Sequence, residues 1–235
     1  MKARIIVKHF LVLCLCLLAA PAGADPLWNN AIEIYESYNV NKPTPKKSYR
    51  LMESGVPGGK MSSNEIWEEY KTEGEQVFRK VIKIAKNGVE TPLPEKAGDK
   101  WFPIDKSKPD PNKDYKGLDQ IFMRDQQENV KFKKTGQTKT LDEKVCDEYS
   151  FEIKATRKSG KEELVIGKTY LDQKTGAPLE IRRENTSILL KGSPDSFIRF
   201  AYDGKNLSAT HFLLAIQMNF FGKQSIMKSE AKLEY

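Results

Sequence analysis

The stretch THFLLAIQMNFFGKQ, residues 210–224, constrains the fold more than any other part of the chain. Successive side chains of an extended strand point to opposite faces, so residues at every second position share a face. In this stretch those positions hold apolar side chains over about twice the usual strand length of ~5–6 residues. The pattern predicts a long strand with one wholly apolar face, formed by Phe212, Leu214, Ile216, Met218 and Phe220.

Further strand patterns begin after about residue 117. Tyr149, Phe151 and Ile153 alternate with polar residues, which predicts a second strand with an apolar face. Dipeptides such as Thr175-Gly176 mark turns between successive patterns. We predict about six or seven strands here, and the short turns favour antiparallel pairing of neighbours.

The earlier part of the chain shows helical spacing instead. Residues 64–86 carry apolar side chains three and four positions apart, so we expect a helix there, although VFRKVIKI also fits a strand. Residues 42–64 are expected to be mostly loop, with one short element near Tyr49 to Met52. Residues 26–39 predict a short amphipathic helix that starts at Pro26 and places five apolar residues on one side: Leu27, Ala31, Ile34, Tyr35 and Tyr38.

The first residues have the order typical of a secretory signal peptide. Three basic residues, Lys2, Arg4 and Lys8, precede an apolar run, FLVLCLCLLAA, which is followed by the small residues PAGA. The run is about half of the ~20 residues needed to cross a bilayer. We therefore predict a signal peptide at residues 1–24, cleavage after Ala24 and a single domain over residues 25–235. Its lone cysteine, Cys146, has no partner for an internal disulfide, which is compatible with a bacterial periplasm.

Residues 88–117 contain five prolines and few apolar residues, which predicts a long loop. Loops of this length are uncommon within a compact domain. We interpret it as a solvent-exposed insertion, and a lid or partner-binding loop is the alternative.

Charge and residue chemistry exclude several classes of function. The 39 basic and 32 acidic residues are interspersed, which is typical of a solvated surface and argues against nucleic-acid binding. His211, the single histidine after residue 24, is predicted to be a polar residue on the less apolar face of its strand. Cys146 is predicted to be a small buried side chain. Neither has the neighbours of a nucleophile or a metal site, so we expect no enzyme, no metal and no cofactor.

Two segments carry a resemblance to a known family. TLDEKVCDEYSFEIKA (140–155) has a polar turn, a short basic step and an alternating aromatic strand, and KTYLDQKTGAPLEIRRE (168–184) has an aromatic-x-Asp, turn, Thr-Gly-x-Pro-Leu hairpin. Both resemble the bacterial outer-membrane lipoprotein-sorting superfamily, the LolA-like fold, over roughly residues 118–235. The resemblance implies an α+β fold in which a strongly curved antiparallel sheet, an incomplete β-barrel, is covered by helices. It also implies an apolar space that holds acyl chains of lipoproteins or lipids.

The expected site is the apolar lining of that space. Its occupant would be a lipid or lipoprotein acyl chain, bound without catalysis in the periplasm. Three alternatives remain: an ordinary core with no space, an envelope interaction or sensor protein that binds a protein partner, and an enzyme acting on envelope lipids or glycans through its carboxylates. The expected lining residues are Phe212, Leu214, Ile216, Met218 and Phe220 on one strand, Tyr149, Phe151 and Ile153 on another, and Ile34, Tyr35 and Tyr38 on the helix.

Overall fold

The computed structural model describes residues 25–94, 100–104, 120–156, 162–184, 194–220 and 223–235. The predicted signal peptide, residues 1–24, lies outside them, as do parts of the predicted loop 88–117. The elements in chain order are α1 (Pro26–Val40), β1 (Lys47–Gly55), β2 (Met61–Glu73), β3 (Gln76–Lys86), β4 (Val89–Thr91), β5 (Phe102–Pro103), a 3-10 helix (Arg124–Asn129), β6 (Val130–Leu141), β7 (Lys144–Thr156), β8 (Glu162–Asp172), β9 (Pro178–Glu184), β10 (Pro194–Tyr202), β11 (Leu207–Phe220) and β12 (Lys223–Glu234).

The strands form one 12-stranded antiparallel sheet that does not close into a barrel. Its order is β4-β3-β2-β1-β12-β11-β10-β9-β8-β7-β6, and β5 pairs with β3 beside β4. Strands β6 to β12 follow one another as sequential hairpins, as the turn signals predict. The predicted α+β class with a curved, incomplete antiparallel barrel is confirmed.

Helix α1 begins and ends close to its predicted limits. Asp25 caps its first turn, because its Oδ1 accepts hydrogen bonds from the backbone N–H groups of Leu27 (2.9 Å) and Trp28 (3.2 Å). The buried stripe of the helix is rotated relative to the prediction, since Leu27, Ile34 and Tyr38 lie at its margin and are half-buried. The fully buried positions are Trp28, Ala31, Ile32 and Tyr35.

The helix predicted over residues 64–86 is wrong. This segment forms most of the β2–β3 hairpin, in which Trp67 pairs with Lys83 and Glu68 pairs with Val81. The extra residue, Ile82, is a β-bulge. Because a bulge shifts the alternation by one position, Val81 and Ile84 share a face, and their spacing of three imitates a helix.

The main core lies between α1 and the sheet. Helix α1 packs against β8, β9 and β11. The Trp28 ring stacks on Phe132 with centroids 3.9 Å apart, and the Tyr35 ring meets Phe200 edge-on. Aromatic contacts of this kind add to the burial of apolar area. Helix α1 is therefore anchored on the second half of the sheet.

The predicted loop 88–117 contains two short strands, β4 and β5, both of which pair with β3. The described remainder has no regular structure, and residues 95–99 and 105–119 lie outside the description. Across the described parts of the chain, none of the helices has the length and apolar character needed to span a membrane.

Candidate functional site

The sheet has two faces, which are identified by cross-strand pairing. Residues paired directly across neighbouring strands share a face. Phe212 of β11 pairs with Ile198, a core residue under α1, and on its other side with Ala231 of β12. Ala231 pairs in turn with Arg50 of β1. The face that α1 covers, here called the α1 face, therefore continues beyond the helix across β12, β1, β2 and β3.

Most of the predicted lining residues lie in or border the packed core beneath α1. Tyr149, Phe151 and Ile153 are at most 1% exposed, and Tyr35 packs with them. The half-buried side chains of Ile34, Tyr38 and Phe212 border the same core.

The other predicted lining residues extend along β11 away from the helix. Leu214 and Ile216 are half-buried on the α1 face. Met218 and Phe220 belong to β11, and their side chains lie outside the described part of the structure. The structure thus brings the predicted strand residues whose side chains it describes onto the face that α1 covers, but distributes them between a closed core and a more open extension.

The open extension carries further apolar side chains that the sequence analysis did not include. Met227 pairs with Ile216, and Ile66 pairs with Ile84. Met52 of β1 and Leu214 of β11 both pair with Ser229 of β12, one on each side of it. Met52 was expected at the end of one short element, and Ile66 and Ile84 in a helix, so only recognition of the β1–β3 strands could have placed them here. We call this set the apolar wall: Leu214, Ile216, Met227, Met52, Ile66 and Ile84.

A buried ionic cluster lies beside the apolar wall on the α1 face. The Glu68 side chain is 3% exposed, and its carboxylate accepts hydrogen bonds from Tyr70 Oη (2.9 Å) and Ser48 Oγ (3.3 Å). Two guanidinium groups flank it, with Arg50 Nη2 at 3.4 Å and Arg79 Nη1 at 3.3 Å. Burial raises the pKa of the Tyr70 hydroxyl, and the Glu68 charge adds to that rise while Ser48 opposes it. We call these five residues the Glu68 cluster.

The opposite face of the sheet carries a second buried carboxylate. Glu180 is fully buried and is contacted by Arg182, by Arg199 (2.6 Å from Nη2) and by Lys139 (3.3 Å). Burial alone would raise the pKa of Glu180, but the hydrogen bonds from Arg182 and Arg199 and the nearby positive charges outweigh it and hold the pKa below its ordinary value. The surroundings of Glu180 are therefore ion-paired, which distinguishes this part of the opposite face from the apolar wall.

His211 lies on the opposite face, as predicted. It pairs with Lys232, and its Nε2 lies 2.9 Å from Glu230 Oε1. Burial lowers the pKa of His211 below its ordinary value, with smaller contributions from Lys232 and Arg199, although Glu230 acts in the other direction. The imidazole is thus mainly neutral at pH 7, and its hydrogen bond with Glu230 has a structural role.

Cys146 is a buried free thiol, as predicted. Burial, together with the charge of Asp172, raises its pKa to about 11, so the thiol stays protonated at neutral pH. Among the residues that the structure describes, no three His, Cys, Asp or Glu side chains are grouped to hold a metal ion.

Comparisons of sequence identify no relative. The chain matches no protein-family model, and no curated protein matches it.

Solved structures do resemble it. An outer membrane lipoprotein-sorting protein domain from Vibrio parahaemolyticus is 15% identical with a TM-score of 0.31, over 88% of this chain and 92% of that one. A LolA superfamily protein from Nitrosomonas europaea is 12% identical with a TM-score of 0.28, over 89% and 92%. The MucA/MucB complex of Pseudomonas aeruginosa supplies a chain that is 10% identical with a TM-score of 0.26, over 88% and 92%. The predicted LolA-like resemblance agrees with two of these likenesses. At these identities and TM-scores they assign the chain to no family, and function is argued below from its own residues.

Proposed function

We propose that this protein binds the acyl chain of a lipid or lipoprotein on the apolar wall, as a non-enzymatic periplasmic protein. The observation that carries the proposal is the continuation of the α1 face past the helix. Leu214, Ile216 and Met227 are only half-buried there, and Met52 is 38% exposed. Apolar side chains left partly open on one face, here with Ser229, Ser54 and Asn64 between them, are typical of a surface that binds an apolar partner.

The chemistry of these side chains suits an acyl chain. Met52 and Met227 have unbranched, flexible side chains that adapt to a ligand without a fixed shape. Each methylene group transferred from water to such a surface contributes about 0.8 kcal/mol. A chain of ordinary length therefore binds without any specific polar contact to its tail.

The predicted lining residues under α1 would enter the site only if the helix moves. Tyr149, Phe151 and Ile153 are sealed by Trp28 and Tyr35 in the present arrangement. We propose that movement of α1 opens this part to a longer chain, and that release is set by movement of α1 or of the 88–117 loop. The proposed export signal, residues 1–24, would deliver the protein to the compartment in which such lipids occur.

The test is mass spectrometry of the purified protein, first native and then after organic extraction, on the wild type and two variants. Ile216→Glu places a charge on the apolar wall and should reduce co-purified lipid by about tenfold or more, because a carboxylate in contact with an acyl chain loses its hydration. The matched control is Ala215→Glu, one residue away on the opposite face, where Lys228 is the cross-strand neighbour. It should retain the wild-type lipid content.

Unchanged lipid in folded Ile216→Glu protein would contradict the assignment of the wall. A wild type that carries no lipid and takes up neither fatty acid nor phospholipid would contradict the function. That result would favour the alternative, an envelope protein that uses the sheet as a scaffold for a protein partner.

A further inference from the structure

We propose that Arg50 and Arg79 of the Glu68 cluster bind the phosphate of an anionic lipid headgroup. The lipid is the one whose acyl chain lies on the apolar wall, so this inference rests on the proposed function. The inference specifies the class of ligand that the proposed function leaves open, namely an amphiphile that carries a phosphate group.

The Glu68 cluster and the apolar wall adjoin on one face. Arg50 pairs with Ile66 on one side and with Ala231 on the other. Met52 is two residues further along β1, roughly 7 Å away at the rise of a strand. Leu214, Met227 and Ile216 follow in the same direction across β12 and β11. A ligand with a charged end and an apolar tail can therefore contact both regions at once.

The charges of the cluster do not cancel. Two guanidinium groups surround one carboxylate, and the carboxylate is the buried partner. Glu68 is 3% exposed, whereas the side chains of Arg50 and Arg79 are 31% and 49% exposed. Solvent thus meets the cations, and the compensating negative charge lies beneath them.

The two arginines also retain hydrogen-bonding capacity. Each donates to Glu68 through a single Nη atom at 3.3–3.4 Å, while a guanidinium carries five N–H donors. Arginine recognises phosphate by presenting parallel donors to two oxygens. Tyr70 and Ser48 donate to the same Glu68 oxygen, Oε2, as Arg50, and Arg79 donates to Oε1, so the carboxylate is held by four donors and both arginines are tied to it.

The cluster of Glu180 with Lys139, Arg182 and Arg199 also carries excess positive charge, but it differs in how its donors are used and in where it lies. Arg199 donates to Glu180 through both Nε (3.0 Å) and Nη2 (2.6 Å), and Arg182 contacts the same carboxylate. That cluster satisfies its own donors more fully and lies on the face away from the apolar wall. The Glu68 cluster is therefore the one suited to a headgroup.

The experiment compares two soluble lipids with the same acyl chain, lysophosphatidylglycerol and monoacylglycerol, by isothermal titration calorimetry. The wild type should prefer the phosphate-bearing lipid. Arg50→Gln and Arg79→Gln should each lower its affinity for lysophosphatidylglycerol by about tenfold, the size expected for one charge-assisted hydrogen bond. Their affinity for monoacylglycerol should stay at the wild-type value.

A third variant should act in the opposite direction. Glu68→Gln removes the negative charge beneath the arginines and should raise the affinity for lysophosphatidylglycerol severalfold. Loss of structure would lower it instead, so this sign separates recognition from stability. The control is Lys232→Gln, which removes a positive charge from the opposite face of β12 and should change neither affinity. Thermal unfolding checks each variant, and Arg79→Gln substitutes for Arg50→Gln if the latter does not fold, since Arg79 is the more exposed.

The remaining outcomes separate the two proposals. If the wild type binds both lipids equally, the headgroup proposal is overturned and the acyl-binding function stands. If it binds neither lipid, both are overturned. The last measurement uses inorganic phosphate as the ligand. If Arg50→Gln weakens the binding of inorganic phosphate but leaves the binding of lysophosphatidylglycerol unchanged, the site binds a free anion. That result would overturn the lipid-headgroup proposal.

Discussion

Glu180 is the centre of an ion-paired cluster on the face of the sheet opposite α1. Its carboxylate is fully buried and contacts three cations, Lys139, Arg182 and Arg199, whose mutual repulsion it offsets in part. We expect Glu180→Gln to lower the free energy of unfolding by about 3–5 kcal/mol, the usual effect of removing one partner from a buried ion pair. Urea denaturation followed by circular dichroism measures this change.

Glu184→Gln is the control for that measurement. Glu184 is 50% exposed, and its carboxylate lies 4.0 Å from Lys168 Nζ. Such a surface pair contributes about 0–1 kcal/mol. Equal effects of the two substitutions would contradict the central role assigned to Glu180.

At the scale of elements, Asp25 links the start of α1 to the sheet. One carboxylate oxygen caps the helix, and the other accepts a 2.8 Å hydrogen bond from the buried hydroxyl of Tyr149. Burial, followed by the bond to Asp25, raises the pKa of that hydroxyl, which remains protonated. Asp25→Ala should cost about 1 kcal/mol for the cap and a further ~1–3 kcal/mol for the buried hydroxyl left without an acceptor.

A double-mutant cycle tests this link. Tyr149→Phe removes the donor, so Asp25→Ala in that background should cost only the cap. Additive losses in urea denaturation would show that the two residues are not coupled.

Elements differ in how far the sequence could predict them. The strands after residue 117 have regular apolar alternation and short turns, and helix α1 has regular helical spacing. The predictions of a strand series and of an N-terminal helix are both confirmed. The β2–β3 hairpin was missed because the bulge at Ile82 changes a period of two into an apparent period near 3.6. The Glu68 cluster was missed with it, since Glu68, Arg50 and Arg79 meet only after three strands have paired.

For the whole molecule, the charged groups predict a loss of stability on acidification. The pKa values of Asp147, Glu148, Glu180 and Glu230 lie below their ordinary values, because hydrogen bonds from basic partners outweigh the opposing effect of burial. Carboxylates of this kind stabilise the folded state above their unfolded pKa of about 4, and that contribution is lost as pH falls through the folded value.

His211 adds an earlier step in the same direction. Its folded pKa is lowered, chiefly by burial, so protonation near the unfolded value of about 6.5 favours the unfolded chain. The free energy of unfolding should therefore fall between about pH 7.5 and about pH 5.5, and His211→Gln should remove most of that fall. Denaturation curves at the two pH values measure it, and an equal fall in the variant would mean that other groups cause it.

The pairing of β1 with β12 has a consequence for how the chain reaches its native state. It joins Lys47 to Glu234 and Gly55 to Ile226, contacts that are almost as distant in sequence as the described chain allows. Contacts of such high contact order form slowly, because a long loop must close before they contribute. During synthesis, β1 must wait for the last strand to emerge, and until then both halves of the sheet expose an unpaired edge that can associate with other chains.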